Sequence, residues 1–180
     1  MVEAQRTHPL QDRLYAGNGV AVTPVKFHDR VSLRADKEAI AGLGKAIGVA
    51  LPKDIRTANT KDEVSALWIG PDEWFVIGPQ GTGLEEKLNK VKTGLFSVVP
   101  IGHRNTGMFV SGKNAVAVLN AGCPQDLSLD AFPISACTRT IMGKAEIILW
   151  RKDEHRFHVE CWRSFSNYVW KHLTEAARCI

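Results

Sequence analysis

One ordered plan occurs twice along this chain, and it constrains the fold more than any single motif does. The first pass runs strand, helix, Leu51-Pro52, loop, hairpin, helix; the second runs strand, helix, Cys123-Pro124, loop, hairpin, helix. Leu67-Trp68 stands just before Asp72-Glu73, and Leu149-Trp150 just before Asp153-Glu154. Four features matching in order favour an internal duplication over chance sharing of turn residues. The expected fold class is therefore α+β: two strand-helix-hairpin-helix units whose antiparallel sheet segments carry helices on one side.

Local patterns fill in the plan. Val31-Ser32-Leu33-Arg34 alternates as a half-buried strand should. Asp36 opens a helix with Ile40, Leu43 and Ile47 on one stripe, closed by Gly48 and Pro52. The strands Ala66–Gly70 and Trp74–Ile77 form a hairpin across Pro71-Asp72-Glu73. Thr82 and Glu85 read as a capping box for a helix with Leu84, Leu88, Val91 and Leu95 in one arc.

Two further strands, Ser97–Ile101 and Gly107–Val110, flank the polar loop His103-Arg104-Asn105-Thr106. A helix from Lys113 ends at Gly122, read as a left-handed C-terminal glycine. A three-strand meander then covers 137–142, 146–151 and 156–161, and Ser164 caps a last helix with Phe165, Val169, Leu173 and Ala176 aligned. Residues 1–25 read as an extended N-terminal arm, and 26–180 as one domain of two related halves, about 26–96 and 97–180.

Composition narrows the function classes. Of the 180 residues, 44% are hydrophobic and 23% charged, which fits an ordered globular chain. No apolar run reaches the roughly 18–20 residues that span a bilayer, and Met1–Arg6 lacks an apolar signal core, so a cytoplasmic protein with no membrane partner is expected. The net charge of +4 is dispersed rather than gathered on one face, against a nucleic-acid partner. Cys123, Cys137, Cys161 and Cys179 are widely spaced without a Cys-x-x-Cys pair, so free thiols are expected.

The residues yield no catalytic, cofactor or metal site. His155, His158 and Cys161 do not converge on a strand, because His155 and Cys161 point one way and His158 the other. Asp72-Glu73 and Asp153-Glu154 fall in hairpin turns, where solvated carboxylates are poor general acids. Pro79–Gly83 lacks the phosphate-loop and dinucleotide spacings. His103 and Arg104 lie in a loop that is either held by local hydrogen bonds or docked on a partner. Trp170 sits a quarter-turn off the last helix's stripe, which suits a subunit contact and partial packing within the monomer equally. His103, Arg104 and Trp170 are the candidate subunit-contact residues.

Several segments carry a family resemblance: Leu67-Trp68-Ile69-Gly70-Pro71-Asp72-Glu73-Trp74; Gly102-His103-Arg104 with Val110-Ser111-Gly112; Leu119 through Phe132-Pro133; and Ala136-Cys137-Thr138-Arg139-Thr140 with Gly143-Lys144-Ala145. On these, and on Arg163 to Trp170, the chain resembles the gamma subunit of heterotetrameric sarcosine oxidase across about residues 25–178. The resemblance implies a structural role beside alpha, beta and delta subunits. It also implies oxidative demethylation of sarcosine to glycine, with hydrogen peroxide and formaldehyde or methylene-tetrahydrofolate as products.

By the same resemblance FAD, FMN, NAD and tetrahydrofolate are used on other subunits, zinc belongs to delta, and this chain binds no cofactor. That family is similar in fold to the folate-binding module of glycine-cleavage aminomethyltransferases, so the alternative is a free-standing folate-dependent one-carbon protein. The hairpins at Asp72–Val76 and Asp153–Phe157 lack the glutamate motif those transferases use for the pterin.

Overall fold

The computed structural model describes residues 7–180. It begins with a short hairpin, β1 (Tyr15–Gly17) and β2 (Val20–Pro24). The first unit follows as β3 (His28–Ala35), α1 (Ile40–Ile47), β4 (Ala58–Lys61), β5 (Val64–Gly70), β6 (Glu73–Pro79) and α2 (Leu84–Asn89). Then come β7 (Phe96–Pro100), β8 (Asn105–Ser111), α3 (Ala115–Asn120), β9 (Cys137–Met142), β10 (Ala145–Asp153) and β11 (Arg156–Trp162). A 3₁₀ turn, Arg163–Phe165, leads into α4 (Ser166–Arg178).

The strands make two antiparallel sheets, ordered β4-β5-β6-β3-β7 and β1-β2-β8-β11-β10-β9. The first unit with β7 is a split βαββαβ arrangement. The second repeats it, except that the place β7 takes beside β3 is taken beside β8 by β2. Each sheet thus receives the strand that precedes the other unit in sequence, which binds the two halves topologically. The α+β duplication expected from the sequence is the architecture observed. The segment read as an arm contributes Leu10 to the core and β1-β2 to a sheet edge, while its residues 1–6 lie outside the described residues.

Strand alternation sets the layers. Val31, Leu33 and Ala35 of β3 pack with Leu43 of α1 and Leu88 of α2 on the outer face of the first sheet. Met108, Val110, Phe157 and Val159 pack with Leu119, Val169 and Leu173 on the outer face of the second. Between the sheets, Leu67, Phe75 and Ile77 meet Cys137, Ile148 and Trp150 in a third apolar cluster. Each large side chain buried this way contributes about 1.5–3 kcal/mol. The order is helices, sheet, sheet, helices.

Several local expectations are corrected. Thr82 does not cap α2: its hydroxyl donates to Pro79 O at 2.5 Å, and the helix opens on Gly83 at φ 68°. That helix stops at Asn89, and Gly94 (φ 74°) turns the chain so that Leu95 is 80% exposed. Leu95 N–H instead donates to Asp36, whose carboxylate also receives the N–H groups of Glu38 and Ala39 ahead of α1. Ser164 makes no cap, because the 3₁₀ turn precedes α4 and leaves Phe165 exposed.

Gly122 does not adopt positive φ. Its lack of a side chain matters for proximity, since a Cβ would lie 2.1 Å from His172 Nε2. The register of the repeat also differs from its sequence signature. Trp68 N–H donates to Thr57 O as Arg151 N–H donates to Ala136 O, so Trp68 corresponds to Arg151, not to Trp150. Trp68 accordingly packs on the outer face and Trp150 on the inner one.

Candidate functional site

The polar centre of the molecule lies between the sheets. Arg30 projects inward from β3, and His158 and Glu160, two residues apart on β11, project toward it. All three are buried. Arg30 Nε and Nη2 donate to the two Glu160 oxygens, each at 2.8 Å, a bidentate pair. His158 Nε2 lies 2.9 Å from Glu160 Oε1 and, facing a carboxylate, acts as the donor.

Gly107 on β8 makes room for this group: a Cβ there would sit 2.5 Å from Glu160 Oε1 and 2.6 Å from His158 Nε2. Phe109 and Trp150 flank the imidazole at 5.0 and 5.9 Å between ring centroids.

The electrostatics fix the charge states. Burial alone would raise Glu160, but the Arg30 charge and the hydrogen bonds from His158 and Arg30 hold its carboxyl at about 2. His158 is pushed down by burial against the pull of Glu160, so it is neutral. Burial also pushes the Cys137 and Cys161 thiols up to about 12, which leaves them protonated and unreactive. The cavity beside Glu160, lined also by Ser32, Glu73, Arg139 and Trp162, measures about 20 Å³. That is room for about one water molecule. Both carboxylate oxygens are already engaged, so this centre locks the sheets together and has no space to receive a substrate.

The residues singled out from the sequence are scattered around this centre. His155 is exposed in the β10–β11 turn, and Cys161 faces the helices, opposite to His158. Among the described residues no three His, Cys, Asp or Glu side chains converge as metal ligands. The turn carboxylates are ion-paired in the first hairpin: Asp72 with Arg34 and Glu73 with Arg139 of the other half, each at 2.6 Å. The α2 start is occupied by an internal carboxylate, since Gly83 N–H donates to Asp29 Oδ2.

His103 and Arg104 are exposed. The Arg104 guanidinium lies 5.3 Å from the Trp162 ring, and its Nε donates to Asn105 Oδ1. Trp162 and Phe165 are themselves 43% and 41% exposed, so Arg104 is part of a surface aromatic patch. Trp170 lies elsewhere, 8% exposed in the outer core of the second sheet, with the Arg13 guanidinium 6.0 Å from its ring.

The Arg30–Glu160–His158 group does not follow from the sequence pattern. Its available signal was an i, i+2 polar pair within Phe157–Trp162, flanked by residues that face the other way. The partner Arg30 lies 130 residues from Glu160 and carries no local mark.

These features define a duplicated α+β module with a sealed ionic centre and an exposed arginine–aromatic patch. Its fold is similar to that of glycine cleavage system aminomethyltransferase T from Bartonella henselae, with TM-score 0.64 and 13% identity over 89% of this chain and 49% of that one. It is more similar to a chain of heterotetrameric sarcosine oxidase from Corynebacterium sp. U-96 in complex with pyrrole 2-carboxylate, with TM-score 0.85 and 23% identity over 96% and 95% of the two chains. Residues 32–178 match the sarcosine oxidase, gamma subunit family. Sarcosine oxidase subunit gamma of an Arthrobacter species is 30% identical over 144 residues, covering 78% of this chain and 71% of that protein. The chain belongs to the sarcosine oxidase gamma subunit family.

Proposed function

We propose that this chain is the assembly subunit of a heterotetrameric, flavin-dependent sarcosine oxidase and is not itself catalytic. The family match over residues 32–178 carries this reading. The sealed centre supports it, because Arg30, Glu160 and His158 are engaged with one another between the two sheets. The partners are the alpha, beta and delta subunits, in the cytoplasm. FAD, FMN, NAD and tetrahydrofolate act on those subunits during sarcosine catabolism to glycine and a one-carbon unit. No helix among the described residues is long and apolar enough to cross a membrane.

His103 and Arg104, with Trp162 and Phe165, form one contact surface with a partner subunit. An exposed arginine over an indole supplies the large, pre-ordered side chains that dominate interface energies.

Co-expression of the tagged chain with the other three subunits tests the reading. Recovery of all four chains together, with flavin absorbance and sarcosine turnover in the complex and neither in the isolated chain, is the expected result. A tagged chain that stays alone beside its expressed partners would reject it.

A further inference from the structure

The two halves differ in one place that bears on how the chain is held. In the first half a groove of about 1150 Å³ runs between α1 and the outer face of the β5–β6 hairpin. Its floor is Trp68 stacked on Trp74, with centroids 5.6 Å apart and an interplanar angle of 27°, flanked by Ile40, Leu51 and Pro52. Ala41, Gly44 and Gly48 line the helix side, which keeps that wall low.

In the second half the equivalent floor is Arg151 over Phe157, 4.5 Å from guanidinium carbon to ring centroid. There it is covered by the chain's own connection. The first half joins α1 to β4 through residues 48–57, whereas the second joins α3 to β9 through the longer stretch 121–136. The longer stretch buries Leu127 and Phe132 completely in the core, and Arg151 Nη2 donates to Leu127 O. Cys123–Phe132 is thus an internal plug over the position that Trp68 leaves open.

Charge distinguishes what would fit the open copy. Lys37, Lys45, Lys53 and Lys61 line the groove, and none forms an ion pair among the described residues. Asp36 and Asp72 also line it, but Asp72 is engaged by Arg34 and Asp36 by three backbone N–H groups. Lys37 stands just before α1 and Lys45 in its last turn, so their charges are spread along a helix about 12 Å long, eight residues at 1.5 Å each. Positive charge spread over that length suits an extended segment with several carboxylates better than one compact anion.

We infer that the Trp68 groove receives a short acidic segment of a partner subunit, anchored by an apolar side chain on Trp68 as Leu127 and Phe132 anchor the plug of the other half. The source of the segment rests on the subunit reading above; the groove and its charge do not. The internal plug has the same chemistry, since Asp126 and Asp130 alternate with Leu127 and Leu129 ahead of Phe132.

Ala41→Cys places a thiol on the α1 wall of the groove, distinguished from Cys179 by peptide mapping. In the co-expressed complex, maleimide labelling at position 41 should slow by about tenfold relative to the isolated chain, as for any site covered by a bound partner. A photo-cross-linker at the same position should capture an Asp/Glu-rich peptide of another subunit. Lys45→Glu with Lys53→Glu, both exposed changes, should abolish that cross-link.

Equal labelling in an assembled complex overturns the inference and leaves the subunit reading standing. So does a captured peptide without carboxylates, or a cross-link to a second copy of this chain. Failure of the four chains to assemble at all rejects the subunit reading, and the inference with it.

Discussion

Arg30 and Glu160 belong to different sheets and meet through two 2.8 Å hydrogen bonds with both side chains almost fully removed from water. An ion pair in such surroundings costs nearly as much to desolvate as it returns, so its strength shows chiefly when one partner is removed. Glu160→Gln leaves Arg30 buried without a counter-charge and should destabilise the chain by about 3–5 kcal/mol. Arg30→Met with Glu160→Leu should recover much of that loss. Urea unfolding of the two variants beside the parent chain checks the order.

The same centre sets an acid limit. His158 has its proton affinity lowered in the folded chain, so below the ordinary histidine value of 6.5 the unfolded chain binds a proton that the folded chain refuses. Stability should therefore fall as pH drops from 7 toward 5. Glu160 adds a second limb, because its stabilisation is complete above 4.5 and is lost as pH falls toward about 2. His158→Gln should flatten the upper limb and retain the lower one, measured as unfolding midpoints across pH.

What the sequence made legible follows from where information is local. The meander around β9, β10 and β11 was readable because period-2 alternation and turn residues lie within a few positions of each other. The apolar spacing of Leu84, Leu88, Val91 and Leu95 extends α2 beyond its observed end at Asn89, because that spacing persists into the turn that Gly94 makes. The exchange of β2 and β7 between sheets leaves no local trace, because pairing over long sequence distances is decided by packing. The Arg30–Glu160 pair was hidden for the same reason. In the candidate contact set, Arg104 fell in a loop by pattern alone, but the Trp162 ring beside it comes from another strand end.

Two glycines separate close approach from backbone freedom. Neither Gly107 nor Gly122 has a positive φ, so alanine at either position meets only neighbouring atoms. At Gly122 the obstacle is the His172 ring, on the half-exposed side of α4, which can rotate toward solvent. At Gly107 the obstacles are Glu160 and His158, buried and fixed by each other and by Arg30. Gly107→Ala should cost about 1–3 kcal/mol, as overpacking does, and Gly122→Ala less. Thermal unfolding of both variants decides the order, and a larger loss for Gly122→Ala would mean that His172 is held more tightly than its exposure implies.

Trp170 and Arg104 should separate folding from assembly. Trp170 is buried against the α4 side of the second sheet, so Trp170→Ala removes a large ring from a packed core and should cost the isolated chain about 3–5 kcal/mol. Arg104 is exposed, and among the described residues its side chain hydrogen-bonds to the neighbouring Asn105. Arg104→Ala should therefore change monomer stability by less than about 0.5 kcal/mol, the usual range for surface changes. If the Arg104–Trp162 surface contacts a partner, Arg104→Ala and Trp162→Ala should each reduce recovery of the four-chain complex while the isolated variants unfold like the parent. Assembly unaffected by both substitutions would move the contact elsewhere. Stability unaffected by Trp170→Ala would return that ring to the surface role its position on the helical wheel left open.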